Sequence, residues 1–192
     1  MPLSPIELTD KKNARLYFLQ KRALLCPDQK LCFDAQICDG LYNAVASFDT
    51  VLCFCAVRGE PSLEPLVARL LEEGRRVAFP ISHTQSTHLE FKLISSLSEL
   101  SAGAYGIGEP PSANEAVCDF AGAVCLTPAL AIDKRGYRLG YGKGYYDRFF
   151  EDNDVHRIGV IYSCCMAEEL PRESTDIPVD IIVTEKGTSI IS

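Results

Sequence analysis

Thr127-Pro128-Ala129-Leu130-Ala131-Ile132-Asp133-Lys134-Arg135-Gly136-Tyr137-Arg138-Leu139-Gly140-Tyr141-Gly142-Lys143-Gly144-Tyr145-Tyr146-Asp147-Arg148-Phe149-Phe150 starts where an apolar run ends and finishes in an aromatic, charged segment of helix-compatible composition. Between these ends, Gly140, Gly142 and Gly144 fall within five consecutive positions, with Lys143 among them. Strand, glycine turn and helix in that order make an anion site. Glycine lets the backbone approach a phosphate, and the helix start directs its positive end to the same place. Five cations (Lys134, Arg135, Arg138, Lys143, Arg148) face only Asp133 and Asp147 here, in a chain whose formal charge is -7. The spacing is not the dinucleotide fingerprint, whose third glycine comes one position later, nor a P-loop, which needs Gly-Lys-Ser/Thr after a four-residue spacer. Pattern alone leaves two readings, a tight turn that uses glycine and a phosphate cradle.

Upstream, residues 8–25 read as a helix capped by Thr9 or Asp10, with Leu16, Leu19, Ala23 and Leu24 as its apolar stripe. Lys11 and Arg15 are four apart and share a face, which by spacing alone is a solvated charged side. Pro27 and Asp28 open a second helix with Leu31, Ala35, Cys38, Leu41, Tyr42 and Val45 on one side. Residues 51–57 are apolar at every position, a strand buried on both faces, and Glu60 follows in the loop after its carboxyl end. In α/β sheets such loops bind ligands, so Glu60 is either a polar contact or an ordinary exposed loop acid.

A helix over 63–73 stopped by Gly74, a strand over 76–80 and a strand over 89–94 come next. Residues 101–112 read as neither helix nor strand, and are too apolar for a plain linker. A buried run over 121–130 feeds the opening stretch. After it, a helix over 145–150, a core strand over 157–162, a short amphipathic piece over 166–170 and a last strand over 176–184 complete the chain. The alternation predicts an α/β sheet covered by helices on both sides, in one domain.

Composition excludes several classes. The 192 residues are 47% hydrophobic and 23% charged, and no apolar run approaches the roughly 18 residues of a membrane span. The first ten residues lack the basic and apolar regions of a signal peptide, so the expected location is the cytoplasm. A pI near 5.0 argues against a nucleic-acid protein. Nine cysteines without a Cys-x-x-Cys pair, and three histidines without ligand spacing, read as buried free thiols and no zinc site.

Arg138-Leu139-Gly140-Tyr141-Gly142-Lys143-Gly144-Tyr145-Tyr146-Asp147-Arg148 closely resembles the signature of the 5-formyltetrahydrofolate cyclo-ligases, Arg-Leu-Gly-x-Gly-x-Gly-(Phe/Tyr)-Tyr-Asp-Arg. The segment before it, through Asp133 and Gly136, is similar to that family's Pro-x-x-Ala-Phe-Asp-x-x-Gly. Lys11, Arg15, the Gly59-Glu60 turn, Pro80, Tyr105 to Pro110, Leu170-Pro171, Asp176 and Val183-Thr184 follow in family order, nearly end to end.

The resemblance implies ATP- and Mg²⁺-dependent closure of 5-formyltetrahydrofolate to 5,10-methenyltetrahydrofolate, with release of ADP and phosphate. It implies a three-layer fold of the sugar-phosphate isomerase and CoA-transferase type. It also implies a monomer acting on small molecules, without nucleic acid or membrane. On its terms, Lys11, Arg15 and the run Arg138, Leu139, Gly140, Tyr141, Gly142, Lys143, Gly144, Tyr145 and Tyr146 hold ATP. Arg138, Lys143 and Tyr145 serve catalysis, Cys55, Glu60 and Tyr145 meet the folate, and Asp147 and Asp176 are magnesium-associated carboxylates. Leu63 stands where the family often has Thr, Cys165 where it often has Gln, and Arg75 where it has Lys. Two other readings are an ATP-independent sugar-phosphate isomerase and a catalytically silent folate- or nucleotide-binding module.

Overall fold

The computed structural model describes residues 10–191. In chain order the helices are α1 (Lys11–Ala23), α2 (Pro27–Ala44), α3 (Glu64–Glu72) and α4 (Tyr145–Asp152). The strands are β1 (Thr50–Leu52), β2 (Arg76–His83), β3 (His88–Ile94), β4 (Ser101–Ala102), β5 (Gly108–Glu109), β6 (Ala123–Pro128), β7 (Ala131–Asp133), β8 (Arg138–Leu139), β9 (His156–Val160), β10 (Met166–Ala167), β11 (Ile181–Thr184) and β12 (Gly187–Ile190). Seven form the central sheet in the order β12-β11-β9-β6-β1-β2-β3. Pairing is parallel from β11 to β2 and antiparallel at the two edges. A three-stranded sheet, β10-β7-β8, and the β4-β5 pair stand beside it.

Alternation along the central strands sends successive side chains to opposite faces. Val51, Cys53, Val77, Phe79, Val124 and Leu126 pack with Ile37, Leu41, Leu66 and Leu70 of α2 and α3. Leu52, Ala78, Ala123 and Cys125 face the other way, onto Phe149 and Phe150 of α4. That is the three-layer α/β architecture the sequence predicts. Among the described residues no helix is long and apolar enough to cross a membrane.

Local chemistry sets the helix ends. Asp10 caps α1, its carboxylate accepting from the N–H groups of Lys12 and Asn13 at 3.2 and 3.3 Å; Leu8 and Thr9 lie outside the described residues. The Cys26 N–H is held by Gln29 at 3.0 Å, with Pro27 opening α2. At the end of α3, Gly74 N–H reaches Leu71 O and Arg75 N–H reaches Leu70 O, the two bonds of a Schellman stop.

Several expectations are corrected. The buried stripe of α1 is Ala14, Phe18 and Arg22, whereas Leu16 and Leu24 are exposed. The core side of α2 runs through Ile37, Cys38 and Leu41, leaving Leu31 and Ala35 in solvent. The α1 stripe follows leucines while the core takes another face, whereas the α2 stripe is buried as expected at Cys38, Leu41 and Val45 and departs only at its start. The first strand ends at Leu52. Cys53 adds one bond to Ala78 O, then the chain leaves the sheet, because burial of Phe54 comes from packing and not from pairing.

Residues 101–112 are not wholly irregular, since they contain β4 and β5. The final parallel strand starts at Ile181, not 176. The exposed edge strand β12 has no apolar alternation to announce it. All nine cysteines are free, but Cys26, Cys32 and Cys118 are exposed: a surface cap, the outer side of α2 and a loop.

Candidate functional site

β1 leads through α3 to β2 on one side of itself, whereas β6 lies on its other side and leads on to β9 and β11. The chain therefore reverses its direction of sheet growth between β1 and β6. Loops leaving the carboxyl ends of such a pair diverge, and a crevice opens there. A cleft of about 680 Å³ lies at this end of the molecule. Every residue the sequence reading assigned to a site lines it, from Lys11 and Arg15 through Cys55, Glu60 and residues 138–147 to Asp176.

The glycine loop forms one wall. Gly142 and Gly144 have φ of 94° and 67°, a region that L side chains rarely enter. A Cβ on Gly142 would stand 3.2 Å from the Arg15 guanidinium, and one on Gly144 would stand 2.9 Å from that of Arg148. Arg15 Nε donates to Gly140 O at 2.9 Å. Arg148 donates to Thr87 O at 3.1 Å and to Lys143 O. Among the described residues the N–H groups of Tyr141, Gly142, Lys143 and Gly144 donate to no protein acceptor. The first N–H groups of α4 are also without intrahelical partners, as at any helix start. Unpaired backbone donors, flanking guanidiniums and exposed Lys143 together form a surface suited to an oligophosphate.

Arg138 lies beneath this loop, its side chain only 5% exposed. It donates to Asp147 at 2.7 Å and to Ile177 O at 3.3 Å, and its guanidinium carbon is 4.9 Å from the Phe150 ring centre. Burial lowers its pKa, an effect the Asp147 charge opposes. Asp147 accepts on one oxygen, from Arg138 and from Ile177 N–H. Its other oxygen accepts no hydrogen bond among the described residues. Asp176 is more fully used: Lys11 donates to it at 2.9 and 3.2 Å, and Glu173 N–H at 2.7 Å. Partial burial pulls the Lys11 pKa down, but hydrogen bonds to Asp176 and Glu173 leave it raised overall.

Among the described residues no three His, Cys, Asp or Glu side chains are grouped to hold a metal. Magnesium commonly takes one or two carboxylates and completes its shell with phosphate and water. The open oxygen of Asp147 fits that pattern, and Asp176 fits it after exchanging Lys11.

On the Glu60 side of the cleft, a buried polar relay that the sequence did not disclose ties Glu60 to Tyr141 of the glycine loop. Arg22, 2% exposed, donates to Ala129 O at 3.2 Å and to the Tyr141 hydroxyl at 2.8 Å. That hydroxyl donates to Glu60 at 2.9 Å, and the second Glu60 oxygen accepts from Val57 N–H at 3.0 Å. Burial raises the Glu60 pKa and lifts that of Tyr141 to about 12. Cys55, also on this side, is pushed up to about 11 by burial and is a poor nucleophile.

Arg58 covers the Tyr141 ring at 4.9 Å, and Tyr105, at φ 58°, reaches across to the Tyr145 hydroxyl at 3.3 Å. Arg22, Arg58 and Tyr105 were not among the expected site residues. The signal for Arg22 was there: it is four and eight residues after Phe18 and Ala14, on the true apolar stripe. Asp133, fully buried, accepts from the N–H groups of Arg135, Tyr137 and Leu170 and so fixes the turn that leads into the glycine loop.

Residues 7–185 match the family described as the 5-formyltetrahydrofolate cyclo-ligase family. The chain is 33% identical over 172 residues to 5-formyltetrahydrofolate cyclo-ligase of Escherichia coli K12, covering 86% of this chain and 94% of that one. It is 30% identical over 172 residues to the Saccharomyces cerevisiae enzyme of the same name, covering 76% and 80%. An NMR structure of Aquifex aeolicus 5,10-methenyltetrahydrofolate synthetase superimposes with a TM-score of 0.82 at 33% identity, over 94% of this chain and 92% of that one. A Mycoplasma pneumoniae 5,10-methenyltetrahydrofolate synthetase shares the fold, with a TM-score of 0.75 at 22% identity and 92% and 99% coverage.

Proposed function

Because the chain belongs to the 5-formyltetrahydrofolate cyclo-ligase family, we propose that its cleft closes 5-formyltetrahydrofolate to 5,10-methenyltetrahydrofolate at the expense of ATP, with magnesium. The observation that carries the ATP half is the glycine loop, whose unpaired N–H groups meet Arg15, Arg148 and Lys143 at one wall.

A formamide oxygen is a poor leaving group until it is phosphorylated. The formyl oxygen attacks the γ-phosphorus; an O–P bond forms, the bond to the β-phosphate oxygen breaks and ADP departs. N10 then bonds to the formyl carbon and gives up its proton, the C–O bond breaks, and phosphate leaves carrying that proton. Such a reaction needs positioning and charge neutralisation more than a covalent nucleophile. Gly140, Gly142 and Gly144 present backbone donors, while Lys143 and Arg15 supply charge to the phosphates. Arg138 anchors the loop from below through Asp147. Glu60, held by Val57 and Tyr141, accepts from ring N–H groups of the pterin, and Tyr145 borders both ligands. Magnesium would neutralise phosphate charge beside Asp147 and Asp176.

Mixing the protein with 5-formyltetrahydrofolate, Mg²⁺ and ATP should generate the methenyl chromophore, and omitting ATP should abolish it. Folate or nucleotide binding without conversion would leave a silent binding module. Isomerisation of a sugar phosphate without ATP would replace the proposal outright.

A further inference from the structure

Away from the cleft, two adjacent thiols share a turn. After β9 the chain enters a one-turn 3-10 segment, Ser163–Cys165, closed by Cys165 N–H on Tyr162 O at 2.8 Å. The Cys164 and Cys165 sulfurs are 3.9 Å apart. Cys165 is fully buried beside Ala14 and Phe18 of α1, while Cys164 is half-buried and open at the surface. The charged groups that face the pair are Lys21 and Arg22 from α1 and Glu185 from the turn after β11. Glu185 is itself engaged by Ser163 N–H at 2.8 Å and by the Ser163 hydroxyl.

A hydrogen bond from Cys165 pulls the Cys164 thiol down to about 7; burial and Glu185 oppose this, and Lys21 assists it. The remaining thiols are differently placed. Burial pushes those of Cys38, Cys53, Cys55 and Cys125 upward, and Cys26, Cys32 and Cys118 are exposed.

We propose that Cys164 and Cys165 form a hydroperoxide-reactive dithiol, Cys164 attacking and Cys165 resolving, that closes to a vicinal disulfide. In the first step the Cys164 thiolate bonds to one peroxide oxygen, the O–O bond breaks, and the other oxygen leaves as water or an alcohol after taking a proton. Cys164 is then a sulfenic acid. In the second step the Cys165 sulfur attacks it, the S–S bond forms, the S–O bond breaks and the hydroxyl leaves as water with the Cys165 proton. Two thiols lose two electrons, and one hydroperoxide gains them. Neither step needs a peroxide to reach buried Cys165. The turn adjoins the helix that carries Lys11, Arg15 and Arg22, so the reaction would alter packing directly behind the cleft.

Reduced protein would be exposed to hydrogen peroxide at neutral pH, quenched with an alkylating agent and peptide-mapped. The peptide holding both residues should lose two hydrogens, recoverable with dithiothreitol, while Cys26, Cys32 and Cys118 remain alkylatable. Direct alkylation of Cys164 should outpace that of those three by about tenfold. In Cys165→Ser, whose hydroxyl keeps a hydrogen-bond donor beside Cys164, dimedone should capture a Cys164 sulfenic acid that does not accumulate in the wild type. Cys164 reacting no faster than the exposed thiols, or equal dimedone capture with and without Cys165, would overturn the proposal. The wild-type map requires no substitution, so it decides the matter even if Cys165→Ser fails to fold.

Discussion

At Arg138 a charge sits where only 5% of the side chain meets solvent, paired with Asp147 at 2.7 Å, and its Nε is buried without a partner among the described residues. Breaking a buried pair by removing one member leaves the other uncompensated, a loss of about 3–5 kcal/mol. Asp147 is 31% exposed, so solvent moderates the effect. Asp147→Ala should therefore lower unfolding stability by about 2–3 kcal/mol. It should shift the urea midpoint at unchanged slope; a midpoint equal to wild type would show that the pair does not hold the loop.

Glu60 presents the opposite case, a carboxylate whose burial raises its pKa above the ordinary 4.5 despite bonds from Val57 and Tyr141. The folded state then binds the proton more tightly than the unfolded state. The stability Glu60 contributes is present at acid pH and lost as pH rises through the raised value. Relative to Glu60→Gln, the wild type should lose stability as pH rises above the ordinary carboxylate value of 4.5. Parallel stability profiles for the two proteins in paired urea titrations would exclude burial as the dominant influence on this carboxyl.

Among elements, the glycine loop separates conformational need from chemical need. A Cβ at Gly140 would meet nothing within 4 Å, whereas at Gly142 it combines φ of 94° with the Arg15 guanidinium at 3.2 Å. Gly142→Ala should destabilise the protein by about 1–2 kcal/mol and displace Arg15, and Gly140→Ala should melt close to wild type. Thermal unfolding of the pair checks this, and equal losses would contradict the loop geometry.

The same loop was legible in the sequence because glycine spacing and clustered charge are local signals. So were the buried strands, whose apolar runs announce a sheet covered on both faces. What sequence did not disclose depends on phase and distance. Arg22 drew no reading from the helix pattern, because only the fold shows that α1 buries Ala14, Phe18 and Arg22 together. Only the fold brings it to Tyr141, 119 residues away in sequence. The edge strand β12, made of Gly187, Thr188, Ser189 and Ile190, is held by backbone pairing to β11 that leaves no mark on hydrophobicity.

For the whole molecule the signs of charge differ by place: the chain carries -7 overall, whereas its cleft sets Lys11, Arg15, Arg58, Arg138, Lys143 and Arg148 against Glu60, Asp147, Glu151, Glu173 and Asp176, with the cations gathered at the glycine loop. An anionic nucleotide approaching the protein meets general repulsion and local attraction, and salt screens both. The Debye length falls from about 10 Å at 0.1 M salt to about 3 Å at 1 M. That range removes the long-range repulsion and also weakens exposed contacts, whereas the buried Arg138–Asp147 pair is screened little.

Lys143 is the exposed cation on the loop, so it should carry much of the salt-sensitive attraction. Lys143→Ala should weaken ATP binding by about tenfold, the worth of one hydrogen bond to a charged group, with the melting temperature nearly unchanged. Calorimetric titration with Mg·ATP across that salt range should give a shallower salt dependence for the variant. If wild type and variant bind equally and fall in parallel with salt, the loop's lysine does not face the phosphates, and the attraction must come from Arg15 and Arg148 beneath it.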